Sequence, residues 1–155
     1  MDVQYSIEIH AKPAEVFPWI ADPEKAVLWQ PDVQHWEIIE KRGDVIGTVF
    51  RETVGEGSNS LEMKGFISKY QLNQEIGFHL ESKVHTIEMD YTIRSNADVS
   101  VVSIHTQIHW KFPINIICLF SGKKMKANLM NQMKSEGNAL KKICEKEVSY
   151  SDLNG

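Results

Sequence analysis

SGKKMKANLMNQMKSEGNALKKICEKEV, Ser121 to Val148, is the stretch whose reading decides the fold. Met125, Leu129, Met133, Gly137, Leu140 and Cys144 recur at spacings of three and four, which puts them on one face of a helix. Lys124, Lys134, Lys141, Glu145 and Lys146 lie mostly off that stripe. At about 1.5 Å per residue, a helix of this length spans roughly 40 Å. A glycine inside a helix costs about 1 kcal/mol relative to alanine. Gly137 therefore calls for something to approach the helix closely, either a sheet or a ligand.

The chain before it reads as strands. Val3, Tyr5, Ile7 and Ile9 alternate with polar residues, the mark of a strand with one buried face. Two short helices follow. Pro13 fits the first turn of one, and Pro18 is expected to cut it short by removing a hydrogen bond to Ala14. Asp22 and Pro23 open the second, and Pro31 is expected to end it. From Val33 onward come VQHWEIIEK, GTVFRETV, SLEMKGFISKY, EIGFHLESK, HTIEMDYTIRS and VSVVSIHTQIHWKF, separated by turns rich in Gly, Asn, Asp or Gln. These connections are too short for parallel crossovers, so the strands form an antiparallel meander. The expected fold class is α+β: a curved antiparallel sheet of about seven strands wrapped around one long C-terminal helix.

Periodicity assigns the faces. Leu61 and Met63, then Ile76, Phe78 and Leu80, then Ile87, Met89, Tyr91 and Ile93 point inward. On the last strand Val102, Ile104, Thr106, Ile108 and Trp110 share a face. The strand at Val49 and Phe50 is ambiguous, because its two apolar residues fall on opposite faces.

A chain of 155 residues fits a single domain, here 1–148 followed by a polar tail, 149–155, expected to fray. The formal net charge of −4 argues against a nucleic-acid surface. Charge is unevenly spread: Lys123 to Glu147 holds 7 Lys and 3 Glu, while residues 1–122 hold 10 Lys or Arg against 17 Asp or Glu. Such a helix is usually a solvated face, and it is also able to steer an anionic ligand or headgroup. Cys118 and Cys144 are 26 residues apart; in one continuous helix that is about 39 Å, far too long for a disulfide. Two free thiols and an N-terminus that runs directly into a strand pattern lead to an expectation of a cytoplasmic protein. The longest apolar run, Phe112 to Phe120, is far short of the ~20 residues needed to cross a bilayer, so no stable membrane insertion is expected. It is read as buried packing at the junction of last strand and helix, with a lid or a membrane-touching patch as the other reading.

AKPAEVFPWIADPEKAVLWQPDV, VIGTVFRE and ALKKICEKE, in this order along the chain, resemble the START-like superfamily, which includes pollen-allergen-like and polyketide cyclase/dehydrase-like proteins. The resemblance covers nearly the whole chain and rests on the order of the motifs. It implies a helix-grip fold with an apolar cavity between sheet and helix. Functions in that superfamily include lipid and hormone binding, lipid transfer, aromatic polyketide cyclisation and chaperone co-regulation, and fold alone does not choose among them.

Chemistry with a sequence signature is missing. There is no nucleotide loop and no nucleophile elbow. His105 and His109 would lie about 13 Å apart along a strand, too far to share a metal. No metal and no cofactor are expected. Tyr91 and Thr106 are the polar residues on inward faces; Glu52 shares a face with Phe50 but is read as rim or solvent-facing. No acid–base pair is evident, so catalytic residues are unassigned. Met63, Met89, Met125, Met130 and Met133 suit an irregular cavity with an apolar guest. The expected partner is a small hydrophobic or amphipathic molecule, a lipid, polyketide or aromatic metabolite. Trp36, Phe50, Met63, Phe78, Met89, Tyr91, Ile104, Thr106, Met125, Leu129 and Met133 are the expected ligand-contacting set. The alternatives are a small cyclase/dehydrase-type enzyme and a co-regulator-like interaction module. The sequence carries no signal for the oligomeric state.

Overall fold

Each alternating segment forms a strand in the computed structural model, which describes residues 1–155 apart from the side chain of Ile117. The order is β1 (Asp2–Ile9), α1 (Pro13–Ala21), α2 (Pro23–Ala26), β2 (Val33–Glu40), β3 (Val49–Val54), a 3-10 turn (Gly57–Asn59), β4 (Leu61–Gln71), β5 (Glu75–Glu81), β6 (His85–Asn96), β7 (Val99–Trp110) and α3 (Ile114–Asn154). The strands make one open antiparallel sheet in the order β1-β7-β6-β5-β4-β3-β2. From β2 to β7 every strand pairs with its successor, as short turns require. β1 instead pairs with β7, Tyr5 opposite Ile104. The residues of α1 and α2 carry the chain from that edge to the opposite one, where β2 begins.

Helix α1 runs through Pro18, against expectation, and ends at Ala21. Proline removes one hydrogen bond, and burial of Val16, Phe17 and Ile20 outweighs it. Glu15 accepts from the Lys12 backbone N–H at 2.7 Å, tying down the start. Helix α2 ends at Ala26, well before Pro31. The Asp22 side chain caps it, accepting from the Glu24 N–H at 3.0 Å. Beyond it Trp29 is buried, and its indole N–H donates to the Trp19 carbonyl at 2.7 Å.

Helix α3 is longer at both ends than the periodic stretch implied. It begins at Ile114, inside the apolar run, and continues through Asn154, so residues 149–154 are helical but exposed. Met133, Leu140 and Cys144 are buried on the inner face. Gly137 explains its presence here: a Cβ at this position would lie 2.7 Å from Cε1 of Tyr5 on β1. Absence of that one carbon lets the helix sit directly on the β1 edge of the sheet. Cys118 and Cys144 both lie on α3 and are free thiols.

The ambiguous strand resolves with Phe50 inward and buried. Phe50 pairs with Gly65 on β4, and a side chain at Gly65 would collide with the Phe50 ring and the His79 carbonyl. The outer face of the sheet carries cross-strand ion pairs, including Lys69–Asp90 at 2.7 Å and His79–Glu88.

Candidate functional site

An interior cavity of about 60 Å³ lies over the inward face of β2 to β6. Ile20, Trp29 and Gln30 close it from the α1–α2 side. Its walls are built by strand register. Trp36 on β2 stands opposite Glu52 on β3, and Glu52 stands opposite Met63 on β4. Residues directly opposed on one sheet face have Cβ atoms about 5 Å apart, so these three side chains converge. Phe78 on β5 stands opposite Met89 on β6, and Tyr91 is two residues further along the same face. The aromatic rings meet edge to face: Trp36–Phe50 at 5.5 Å, Trp36–Phe78 and Phe50–Phe78 at 5.7 Å, Phe78–Tyr91 at 6.1 Å and Trp29–Tyr91 at 6.4 Å. The space left by Gly65 is what lets Phe50 join this group.

The polar groups in this apolar setting are few and under-satisfied. Burial pushes the Glu52 carboxyl up to about 7, and the negative charge of Glu136 on α3 adds to the shift. Glu136 is itself raised by burial, against the effect of a 3.0 Å hydrogen bond donated by Gln132 and with the effect of nearby Asp32. The Tyr91 phenol is raised, first by burial and then by the charges of Glu136 and Glu52; a hydrogen bond with the Gln30 side chain acts the other way. Near neutral pH the site thus holds a half-protonated carboxyl and a neutral phenol. The Trp36 indole N–H is buried with no hydrogen-bond partner among the described residues. Among the described residues no Lys or Arg lines the cavity.

The structure brings together Trp36, Phe50, Met63, Phe78, Met89 and Tyr91 of the residues expected to contact a ligand. Ile104 and Thr106 are buried on β7 but lie outside the cavity lining, and the Thr106 hydroxyl has no partner among the described residues. Met133 packs in the core beside Leu140 and Cys144. Met125 and Leu129 line a separate outer groove of about 270 Å³ with Met1, Ile108 and Trp110. Among the described residues none that lines this cavity comes from α3, which sits on Tyr5 of β1 at Gly137. Sequence reasoning placed Glu52 at the rim; it faces the cavity. Gln30 and Glu136 went unnoticed. Glu52 alone had a readable signal, its shared face with Phe50. Gln30 follows a short helix whose direction no periodicity sets.

The curved sheet, the long helix and an aromatic cavity beneath two short helices define a START-like helix-grip fold, and the chain has that fold. It resembles a START superfamily protein from Mycobacterium smegmatis with a TM-score of 0.77 at 17% identity, covering 94% of this chain and 97% of that one. The Zhui aromatase/cyclase from Streptomyces sp. R1128 matches with a TM-score of 0.79 at 12% identity, covering 96% and 95%. The di-domain aromatase/cyclase StfQ from the steffimycin biosynthetic pathway matches at 0.72 and 13% identity, covering 97% of this chain and 46% of that longer one. No family model matches the sequence, and neither does any curated protein. At these identities the likeness is one of fold.

Proposed function

We propose that this protein binds a small amphipathic molecule in the cavity among Trp36, Phe50, Phe78 and Tyr91. The observation that carries the reading is that Trp36, whose buried indole N–H has no partner among the described residues, and Glu52, whose carboxyl is unpaired, line the same space. Buried polar groups are nearly always hydrogen-bonded. Here a donor and an acceptor stand on opposed residues of neighbouring strands, with aromatic rings around them. A ligand with a polar end that both donates and accepts would satisfy them, and its apolar body would lie on the rings. The volume of about 60 Å³ is small beside the ~300–1,000 Å³ of pockets for drug-sized ligands, which favours a molecule of one ring or a short chain over a lipid or polyketide.

A second reading has its own observation. A carboxyl near 7 beside a neutral phenol is suited to moving a proton at neutral pH, as acid–base catalysis on a cyclase-type substrate would need. In that case Glu52 exchanges the proton, and Tyr91 and Trp36 hold the substrate oxygen.

Native mass spectrometry of protein purified from its own host tests the first reading. The expected result is a stoichiometric small molecule, released on denaturation and lost from Met63→Trp, which fills the cavity. A bare protein mass, or an adduct that Met63→Trp retains, overturns it. If Glu52→Gln keeps the ligand but abolishes its conversion, the second reading holds as well; unchanged conversion rejects it.

A further inference from the structure

We propose that the first turns of α3 form a docking face for an anionic lipid bilayer. The proposal is independent of the interior cavity. Its starting point is the apolar run that was read as buried junction packing. Phe112 is 78% exposed, Leu119 81% and Phe120 90%, and Ile116 is half exposed. Large apolar side chains scattered singly on a surface are ordinary, but contiguous ones mark a place where something else docks. Ile116, Leu119, Phe120, Lys123 and Lys124 follow one another at i, i+3, i+4, i+7 and i+8, so they form a single stripe along the helix. The stripe is apolar at its start and cationic in the next turn. Phe112 extends the apolar end.

The charge along this part of the helix is one-sided, and across the groove Asp2 at the start of β1 lies near Lys126 but not in the stripe. From Val99 to Ser135 the sequence contains no Asp or Glu, although the whole chain carries −4. Lys123, Lys124 and Lys126 therefore have no acidic residue within several helical turns in sequence. A bilayer with anionic headgroups meets both halves of the stripe: Phe120, Leu119 and Ile116 enter the acyl boundary while Lys123 and Lys124 reach the phosphates. A second copy of this chain fits less well, because an antiparallel two-fold contact on the stripe would set these lysines against the apolar end of the other stripe, where no acidic residue meets them. The association is peripheral, since no helix among the described residues is long and apolar enough to cross a membrane.

Co-sedimentation with vesicles tests the face directly. The vesicles are phosphatidylcholine alone, or phosphatidylcholine with phosphatidylglycerol at about two to one. The parent protein is expected to partition onto the anionic vesicles, to leave them as salt is raised, and to ignore the neutral ones. Lys123→Gln with Lys124→Gln should weaken partitioning about thirtyfold. Leu119→Ser with Phe120→Ser should weaken it at least about tenfold. All four side chains are exposed, so unchanged far-UV circular dichroism is expected in both variants. The proposal fails if the parent does not bind anionic vesicles, or binds neutral ones equally well. It also fails if either double variant binds as the parent does. A parent that sediments as a dimer in solution, reverts to monomer in Leu119→Ser with Phe120→Ser, and leaves vesicles untouched would make the face a contact between copies instead.

Discussion

The two halves of α3 share a helical backbone and a supply of apolar residues, yet they do opposite things. The C-terminal half buries Leu140 and Cys144 against the sheet and seats Gly137 on Tyr5. Its Lys141 pairs with Glu145 at 2.7 Å and also donates to the Glu8 carbonyl on β1. The N-terminal half sends Leu119 and Phe120 into solvent and has no acidic residue. What separates them is how closely the sheet approaches: the C-terminal half touches β1 at Gly137, while open grooves lie between β7 and the N-terminal half. Helical periodicity makes a stripe, and whether that stripe becomes core depends on whether a strand lies under it.

Truncation should expose the contrast most strongly. Leu140→Ala, at a fully buried site, is expected to cost about 4 kcal/mol in a urea unfolding series, while Phe120→Ala should stay within about 0.5 kcal/mol. Equal losses at the two positions would mean that the N-terminal half is packed after all.

The next effect comes from the burial of Glu52, to which Glu136 in the C-terminal half adds its charge. Glu52 has a folded-state value near 7 against an ordinary 4.5, so the folded protein holds a proton that the unfolded chain releases. Stability should therefore be greatest below about pH 4.5 as far as this group is concerned, and should fall as pH rises toward 7 and above, by something on the order of 3 kcal/mol. Glu52→Gln should remove the Glu52 part of that slope, leave a smaller one of the same sign from Glu136, and make the protein more stable than the parent at pH 8. A parent profile that is flat from pH 5 to pH 8 would mean that Glu52 is well solvated.

The finest test places one substitution in both halves. Gly122 has open space where a side chain would go, so Gly122→Ala should stabilise by up to about 1 kcal/mol. Gly137→Ala gains the same helix propensity but drives a methyl into the Tyr5 ring, and a net loss of about 1–2 kcal/mol is expected. Thermal unfolding of the two variants should shift in opposite directions.

Much of the architecture was readable because strand alternation and helix periodicity are local. All seven strands, their meander and the inward sets at Met63, Phe78, Met89 and Tyr91 follow from period two alone. The site was half readable for the same reason. Trp36, Phe50 and Tyr91 sit on strand faces that the pattern specifies, or narrows to two choices, but Glu52 needed the burial of its surroundings to become a cavity residue. Local rules failed where neighbours outweighed them. Pro18 stays inside α1 because that helix is anchored by burial, and Phe112 to Phe120 was read as core because apolar runs usually are.

By itself the sequence determined the class of fold, the strand order from β2 to β7 and a close approach at Gly137, since each rests on side-chain spacing or on the absence of a Cβ. Only the tertiary structure decided that β1 joins β7, that α3 sits toward that edge, that Glu52 faces Trp36 in a small aromatic cavity, and that Leu119 and Phe120 are left outside. Those outcomes depend on which distant residues come to lie opposite one another, and on the desolvation and packing that follow, which no periodicity within a single element records.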